Sequence, residues 1–124
     1  MQMMNPSEFW KPCPLPSVSV DEEPFASDLW RGAMRVEMNL LVYHGLKRYG
    51  FLEEAIELAR RTVNEAVNRY LSAGCLYECY DATADGPPAA MPRLGVSGDA
   101  GRAAVHTDVP GAAAAFLHLL SEVR

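Results

Sequence analysis

The chain has 124 residues, with 11 Lys and Arg against 16 Asp and Glu, which gives a formal net charge of −5 at pH 7. This length suits one small domain, and the basic residues are scattered among acidic ones, so the composition excludes nucleic acid as a partner. No apolar run approaches the roughly 18 residues of a membrane span, and residues 1–10 lack the pattern of a signal peptide, so we expect no membrane association and a cytoplasmic protein.

Residues 1–28 are the first predicted segment. They contain five of the nine prolines of the chain, which favours an extended arm of polyproline II character over a helix. Apolar residues such as Trp10, Val18 and Phe25 are spaced along the arm. We therefore expect the arm to lie across helices of its own subunit or of a neighbouring one.

Three helices are predicted, over residues 33–49, 52–72 and 109–123. The link between the first two is so short that they must form an antiparallel hairpin. Gly45 is interpreted as a point of close approach between helices, and Glu57 is expected to pair with Arg61. The residues expected to form the apolar stripes recur every three or four positions. They are Met34, Met38, Leu41 and Val42 in the first helix, Leu52, Ile56, Ala59, Val63, Val67 and Tyr70 in the second, and Ala113, Phe116, Leu117 and Leu120 in the third.

Two segments separate the second and third helices. Residues 75–81 are predicted to be a short extended piece, and residues 82–102, rich in Gly, Pro and Ala, are predicted to be a loop. The sequence therefore predicts a single all-α domain over residues 1–124, with a Pro-rich N-terminal arm.

The three cysteines are Cys13, Cys75 and Cys79. An odd number argues against a disulfide framework and fits a reducing compartment. Cys75 and Cys79 have no second pair of ligands nearby, and zinc needs four, so we expect no metal site. The sequence indicates no other cofactor.

Glu78 is the best-placed candidate for a catalytic carboxylate. It lies in the run Tyr77-Glu78-Cys79-Tyr80-Asp81, directly after the second helix. A carboxylate in such a loop, considered alone, is more often solvated or structural. Motifs elsewhere in the chain must therefore decide its interpretation.

Several short motifs occur in one order along residues 9–81. The set comprises Pro16-Ser17-Val18-Ser19, Trp30-Arg31-Gly32, Asn39-Leu40-Leu41-Val42-Tyr43, Arg48-Tyr49-Gly50 and Glu78-Cys79-Tyr80-Asp81. In order and approximate spacing it resembles the C-terminal part of (α/α)6-toroid glycoside hydrolases, the group of glucosidase I, trehalase-like enzymes and mannosylglycerate hydrolase. The resemblance implies that the chain folds like the C-terminal helices of such a toroid, and that its last helix is similar to the one that closes the ring.

The resemblance also implies roles for particular residues. Glu78 falls on the general base that activates water in an inverting hydrolysis. Tyr80 is placed with the substrate-binding residues and, with Asp81, would support the loop of Glu78. Three further residues fall on the sugar subsites, where an aromatic face stacks on a pyranose and a guanidinium donates to hydroxyls. They are Trp30, Arg31 and Gly32.

An inverting glycosidase also needs a protonated acid, roughly 6.5 to 9.5 Å from the base. In the resembled group this acid is an Asp that precedes the matching segment, so we expect it to be missing from this chain. Asp28, Glu37 and Asp108 are the substitutes that the composition offers, and no spacing recommends them. Arg35 also stands where the group usually has a sugar-stacking Trp, and the aromatic segments that the group carries after the base are not matched.

Two functions remain open. The first is the C-terminal portion of an inverting hydrolase of α-glucosidase or trehalase type, acting on a small glycoside or an oligosaccharide end, with its acid supplied by another chain or a complementing N-terminal part. In isolation such a portion is expected to be inactive. The second is a non-catalytic, truncated helical module that self-associates or binds a partner or sugar, and a regulatory or toxin–antitoxin-like helical protein is a further alternative. Because helices cut from a ring expose apolar faces, we expect a homo-oligomer.

Overall fold

The computed structural model describes residues 2–7, 9–10, 14–16, 34–77, 79–80 and 110–123. Within these ranges it contains α1 (Val36–Arg48), α2 (Leu52–Ala73), α3 (Pro110–Val123) and a short 3-10 helix at Gln2–Met4. The described residues form no strand, only a single β-bridge, which confirms the predicted all-α fold. No helix in these ranges has both the length and the apolar run that crossing a bilayer requires.

The link between α1 and α2 reverses the chain within three residues. Gly50 adopts a φ of +86°, a left-handed conformation that a residue without a β-carbon reaches at little cost. On either side of it, the Tyr49 amide donates to the Gly45 carbonyl at 3.1 Å, and the Phe51 amide donates to the Leu46 carbonyl at 2.9 Å. These bonds use carbonyls that the end of α1 would otherwise leave without donors. The two helices therefore form the predicted hairpin.

The helix ends differ slightly from the predicted ones. The first helix begins at Val36 because Arg35 is extended, with φ −122° and ψ 129°, and Met34 is paired in the β-bridge. The predicted range of 33–49 therefore started too early. At its other end α2 stops at Gly74, whose φ is +77° and whose amide donates to the Tyr70 carbonyl at 2.7 Å, a common way to end a helix.

The residues at the start of the chain's first helix that enter the core are only in part the predicted ones: Met34 is buried and Val42 packs against the core, as predicted. Met38 and Leu41 are 51% and 64% exposed, although their spacing predicted burial. The residues of α1 that are buried instead are Val36, Asn39, Tyr43 and Leu46. Because α1 carries apolar residues on two sides, their spacing alone could not indicate which side is covered.

The buried faces of α2 and α3 are built largely from small residues. In α2 the predicted core residues Leu52 and Tyr70 are 53% and 51% exposed, and in α3 Leu117 is 62% exposed. The prediction assigned large apolar side chains to the core, whereas alanines occupy much of it. Alanines allow helices to pack more closely than bulky residues do. The buried residues are Ala55, Leu58, Ala59, Thr62, Val63 and Ala66 in α2, and Ala112, Ala115 and Leu119 in α3.

Gly45 does not lie at a close approach between helices of this chain. A β-carbon built on it meets no atom of the described residues within 4 Å. Gly45 lies on the same side of α1 as Met38 and Leu41, away from the core. The predicted close approach is therefore wrong within the part of the chain that the structure describes.

The described part of the N-terminal arm folds into turns, unlike the extended run predicted over residues 1–28. The Asn5 carbonyl accepts hydrogen bonds from the amides of Phe9 at 3.1 Å and Trp10 at 2.9 Å, and the Asn5 side chain accepts one from the Ser7 amide at 3.0 Å. An asparagine side chain that bonds to the backbone two residues later favours such a turn. Trp10 is buried beneath the Arg61 guanidinium, 4.8 Å from its ring centre, so the arm packs on α2 of its own chain.

Asn39 links the arm to both helices of the hairpin. Its amide nitrogen donates to the Thr62 hydroxyl at 2.9 Å and to the Pro14 carbonyl at 3.2 Å, and Thr62 donates in turn to the Leu58 carbonyl at 2.8 Å. Asn39 is only 1% exposed. Since a buried amide is costly unless it is hydrogen-bonded, these bonds fix where α1, α2 and the arm meet.

A polar contact joins α1 to the last turn of α3. The Tyr43 hydroxyl donates to a Glu122 carboxylate oxygen at 2.8 Å, and the Lys47 ammonium lies 3.6 Å from the same oxygen. The hydrogen bond from Tyr43, followed by the charge of Lys47, lowers the pKa of Glu122. Burial and then the Glu122 contact raise the pKa of Tyr43. The contact therefore favours the ionised form of Glu122 and the neutral form of Tyr43.

Replacing Asn39 by Ala is expected to lower the free energy of unfolding by about 2 kcal/mol, because the Pro14 carbonyl and Thr62 hydroxyl lose a buried donor. Urea unfolding followed by circular dichroism measures this loss. Asn64→Ala, at an exposed position of α2, is the matched control and should change stability by less than about 0.5 kcal/mol. Equal losses in the two variants would contradict the linking role of Asn39.

Glu122→Gln is expected to remove a pH-dependent part of the stability. A carboxyl group whose pKa is lowered on folding stabilises the protein at pH values above the pKa that the group has in the unfolded chain. This contribution is lost as the pH falls through the pKa of the folded state. The melting temperatures of parent and variant should therefore differ at pH 7 and converge as the pH falls below the reference value of 4.5. Tyr43→Phe, which removes the donor to Glu122, should show the same convergence. A difference in melting temperature that stays constant at acidic pH would contradict this role of Glu122.

Candidate functional site

Most of the predicted site lies outside the described residues. This holds for Glu78, Trp30, Arg31 and Gly32, and also for Asp28, Asp81 and Asp108. The structure describes instead the segments on either side of them in sequence. These are residues 34–37 at the start of α1, residues 75–77 and 79–80 after α2, and the first turn of α3.

A two-way hydrogen-bonded bridge joins the segment before α1 to the segment after α2. The Met34 amide donates to the Tyr80 carbonyl at 2.8 Å, and the Tyr80 amide donates to the Met34 carbonyl at 2.9 Å. Both side chains are buried, Met34 at 0% and Tyr80 at 1% exposed. The hairpin makes this pairing possible, because α2 runs back along α1 and, with 22 residues against 13, extends past its start.

Two tyrosines brace the segment that follows α2. The Tyr80 hydroxyl accepts a hydrogen bond from the Tyr77 amide at 3.2 Å, and the two rings meet edge to face with centres 6.1 Å apart, a favourable aromatic geometry. Cys79 between them is fully buried. Burial, followed by a hydrogen bond with the Cys75 side chain, raises the pKa of Tyr77, so its phenol is neutral near pH 7. Residues 77, 79 and 80 thus form a buried anchor.

Tyr80 is the one predicted site residue within the described ranges. Because its side chain lies in the core and its hydroxyl bonds to the Tyr77 backbone, its surroundings suit a residue that supports the loop. The resemblance implied this supporting role alongside substrate binding. Direct contact between Tyr80 and a sugar stays a prediction.

Glu37 brings a carboxylate to the same end of the molecule. One of its oxygens lies 3.7 Å from the Arg35 guanidinium and 3.7 Å from a β-carbon built on Gly111. Its other oxygen is buried, with no hydrogen-bond partner among the described residues. Glu37 lies in the first turn of α1 and Gly111 in the first turn of α3, where helix dipoles favour negative charge. The sequence could not reveal this proximity, since the two residues are far apart along the chain.

Metal ligation has no support in the described part of the chain. No group of three or more His, Cys, Asp or Glu side chains there is arranged to hold an ion. Cys75 is partly exposed, whereas Cys79 lies in the core.

Comparison with protein families gives the class of this chain. Residues 1–95 match the model of the mannosylglycerate hydrolase MGH1-like glycoside hydrolase domain. The chain is therefore glycoside hydrolase-like, as the motifs indicated. Because the match covers more than half of the 124 residues, the chain belongs to the MGH1-like glycoside hydrolase family. No curated protein matches it. The match contains the predicted site residues, whereas α3 lies beyond it.

Tyr80→Phe tests the buried anchor. Removing the hydroxyl leaves the Tyr77 amide without its acceptor, and we expect the free energy of unfolding to fall by about 1 to 2 kcal/mol. Tyr70→Phe is the matched control, because Tyr70 is 51% exposed on α2; it should change stability by less than about 0.5 kcal/mol. Chemical denaturation of both variants measures the free energy of unfolding. A Tyr80→Phe variant as stable as the parent would contradict the stabilising role of the Tyr80 hydroxyl.

Proposed function

We propose that the chain acts on carbohydrate as part of an inverting glycoside hydrolase in which Glu78 is the general base. The family match over residues 1–95 carries this proposal, since it spans Glu78 and the Trp30-Arg31-Gly32 motif. The proposed substrates are small α-linked glycosides, such as the mannosylglycerate that the family description names, trehalose, or the end of an oligosaccharide.

The Met34–Tyr80 bridge supports this assignment. Met34 lies two positions after Gly32, and Tyr80 lies two positions after Glu78. The bridge joins these flanking positions by hydrogen bonds of 2.8 and 2.9 Å. Catalysis depends on such positioning, because misplacing a catalytic group by about 1 Å costs on the order of 100-fold in rate.

In the proposed reaction Glu78 removes a proton from water as the water attacks the anomeric carbon. The bond to the leaving-group oxygen breaks, and that oxygen takes a proton from a carboxylic acid on the opposite face of the sugar. We propose that Trp30 stacks on the sugar ring, that Arg31 donates to its hydroxyls and that Gly32 leaves room for it.

The acid is proposed to come from another chain or from a complementing N-terminal part. Glu37 is the competing candidate, because its carboxylate lies near the Met34–Tyr80 end of the bundle. Its carboxylate lies 3.7 Å from the Arg35 guanidinium. Glu37→Gln therefore distinguishes the two sources.

A second function is favoured by the exposed apolar side of α1. A helix with apolar residues on two sides is normally covered on both, and this supports a non-catalytic helical module that self-associates or binds a partner or sugar. For either function we propose the cytoplasm as the compartment, because the odd number of cysteines suits a reducing environment.

The test is hydrolysis of aryl α-glycosides, trehalose and mannosylglycerate by the purified chain, with product anomers followed by NMR. The chain alone is expected to bind these glycosides without hydrolysing them, because the proposed acid is supplied from elsewhere. With the complementing N-terminal part present it should release product of inverted configuration, and Glu78→Gln should then lower kcat by about 100-fold to 10,000-fold. Trp30→Ala should raise KM. Glu53→Gln, at an exposed position of α2, is the matched control and should leave the rate unchanged.

Other outcomes of this experiment assign the chain differently. A Glu78→Gln variant as fast as the parent would show that Glu78 is not the base, and product of retained configuration would rule out inversion. Loss of activity in Glu37→Gln would place the acid within this chain. If the parent neither hydrolyses nor binds any of the glycosides, the non-catalytic module is the correct assignment.

A further inference from the structure

The side of α1 that faces away from the core is continuously apolar. We call it the outer face of α1. Met38, Leu41 and Tyr49 are 51%, 64% and 79% exposed, and Gly45 between them leaves open space above the helix backbone. Positions three or four apart lie on one side of a helix. The outer face consists of Met38, Leu41, Gly45 and Tyr49, and Val42 at its edge also packs against the core.

A groove lies at the end of this face, where the hairpin turns. It has a volume of about 430 Å³ and is formed by apolar side chains together with Gly45. Two more apolar residues beside the turn are also exposed, Phe51 at 44% and Leu52 at 53%. The residues that line the groove are Met3, Val42, Gly45, Leu46, Tyr49 and Phe51. An apolar groove of this kind on a small domain marks an interaction surface.

The charges next to the groove have both signs. Arg48 directly precedes the groove residue Tyr49, and Glu53 and Glu54 follow Leu52. No ion pair within the described residues involves these three side chains. Farther along α2, by contrast, the acidic groups are paired: Glu57 with Arg60 and Arg61, and Glu65 with Arg69. Among the described residues, the hairpin tip, formed by the end of α1 and the start of α2, therefore carries one cation and two carboxylates that make no ion pair there.

We propose that the outer face of α1 and its groove bind the same surface of a second copy of this chain, in a two-fold symmetric dimer. The exposed rings of Tyr49 and Phe51 of each copy enter the groove of the other. Arg48 of each copy meets Glu53 and Glu54 of the other. A surface with both unpaired signs complements itself on a two-fold rotation, because every contact is made twice with the roles exchanged.

The exposed area is sufficient for such a dimer. Five large apolar side chains at this surface, those of Met38, Leu41, Tyr49, Phe51 and Leu52, expose roughly 500 Å² in each copy. A symmetric pair would bury about 1,000 Å², an area typical of weak interfaces. We therefore expect a weak dimer, with a dissociation constant in the micromolar range. The dimer goes beyond the proposed hydrolysis and does not require it, since none of these residues belongs to the proposed catalytic machinery.

Sedimentation velocity on the full chain, from about 1 to 200 μM, tests the dimer. The parent should pass from monomer to dimer within this range, as a micromolar constant requires. Leu41→Glu and Tyr49→Glu should each weaken association at least tenfold, because they place a charge in the apolar contact. Leu71→Glu is the matched control: Leu71 is 78% exposed but lies near the other end of α2, and its replacement should leave the mass unchanged. Circular dichroism checks that the variants fold.

Charge exchange tests the symmetry. Arg48→Glu alone and Glu53→Arg with Glu54→Arg should each weaken the dimer, because like charges then face each other. Combining all three substitutions should restore association, since the exchanged charges again match in a two-fold pair. A contact in which Arg48 of one copy faces Glu53 and Glu54 of the other predicts this rescue, and a dimer that does not grow into larger assemblies shows that the contact is two-fold.

Three results would overturn the proposal. A parent that stays monomeric at 200 μM would mean that another part of this chain or a different partner covers the outer face. Equal weakening by Leu71→Glu would mean non-specific association, and a triple variant without rescue would exclude the two-fold contact. Because sedimentation measures mass and the glycoside assay measures hydrolysis, each proposal can fail while the other stands.

Discussion

The two hydrogen bonds donated by the Asn39 amide are the constraint on which the rest of the structure depends. The buried amide nitrogen of Asn39 donates to the Thr62 hydroxyl of α2 and to the Pro14 carbonyl of the arm. Because an unbonded buried donor is costly, these bonds set the position of α1 against both. With α1 held in this register, the longer α2 passes beyond its start. The Met34–Tyr80 bridge is then a consequence of the register, and so is the meeting of the segments that flank the proposed site.

The two ends of the hairpin consequently have different physical character. At the Met34–Tyr80 end, backbone groups are paired and aromatic rings are buried, which favours a fixed geometry. At the other end Tyr49 and Phe51 are exposed. Apart from the hairpin itself, the 3-10 helix at Gln2–Met4 is the one described segment that lines the groove there. A rigid end suits the positioning of catalytic groups, and an exposed apolar end suits association.

The sequence predicted what depends on local spacing. It predicted α2 closely, the hairpin from its short link, and the pairing of Glu57 with Arg61, which the structure shows at 2.9 Å; ordered motifs indicated the family. It failed where burial depends on other segments. The outward orientation of Met38 arises from packing between helices, and the approach of Gly111 to Glu37 joins residues far apart in sequence. Residues outside the described ranges, Glu78 among them, stay predictions.

The proposed dimer and the proposed reaction use opposite ends of α1. Gly45, in the groove, lies nine positions beyond Val36, which corresponds to about 13 Å along a helix. A partner centred on the groove therefore covers the hairpin tip and leaves the Met34–Tyr80 end open to a sugar. The same geometry keeps the carboxylates at the partner's tip away from that end. The proposed dimer therefore places no carboxylate of the partner's tip near the Met34–Tyr80 end, where the proposed inverting reaction needs its acid.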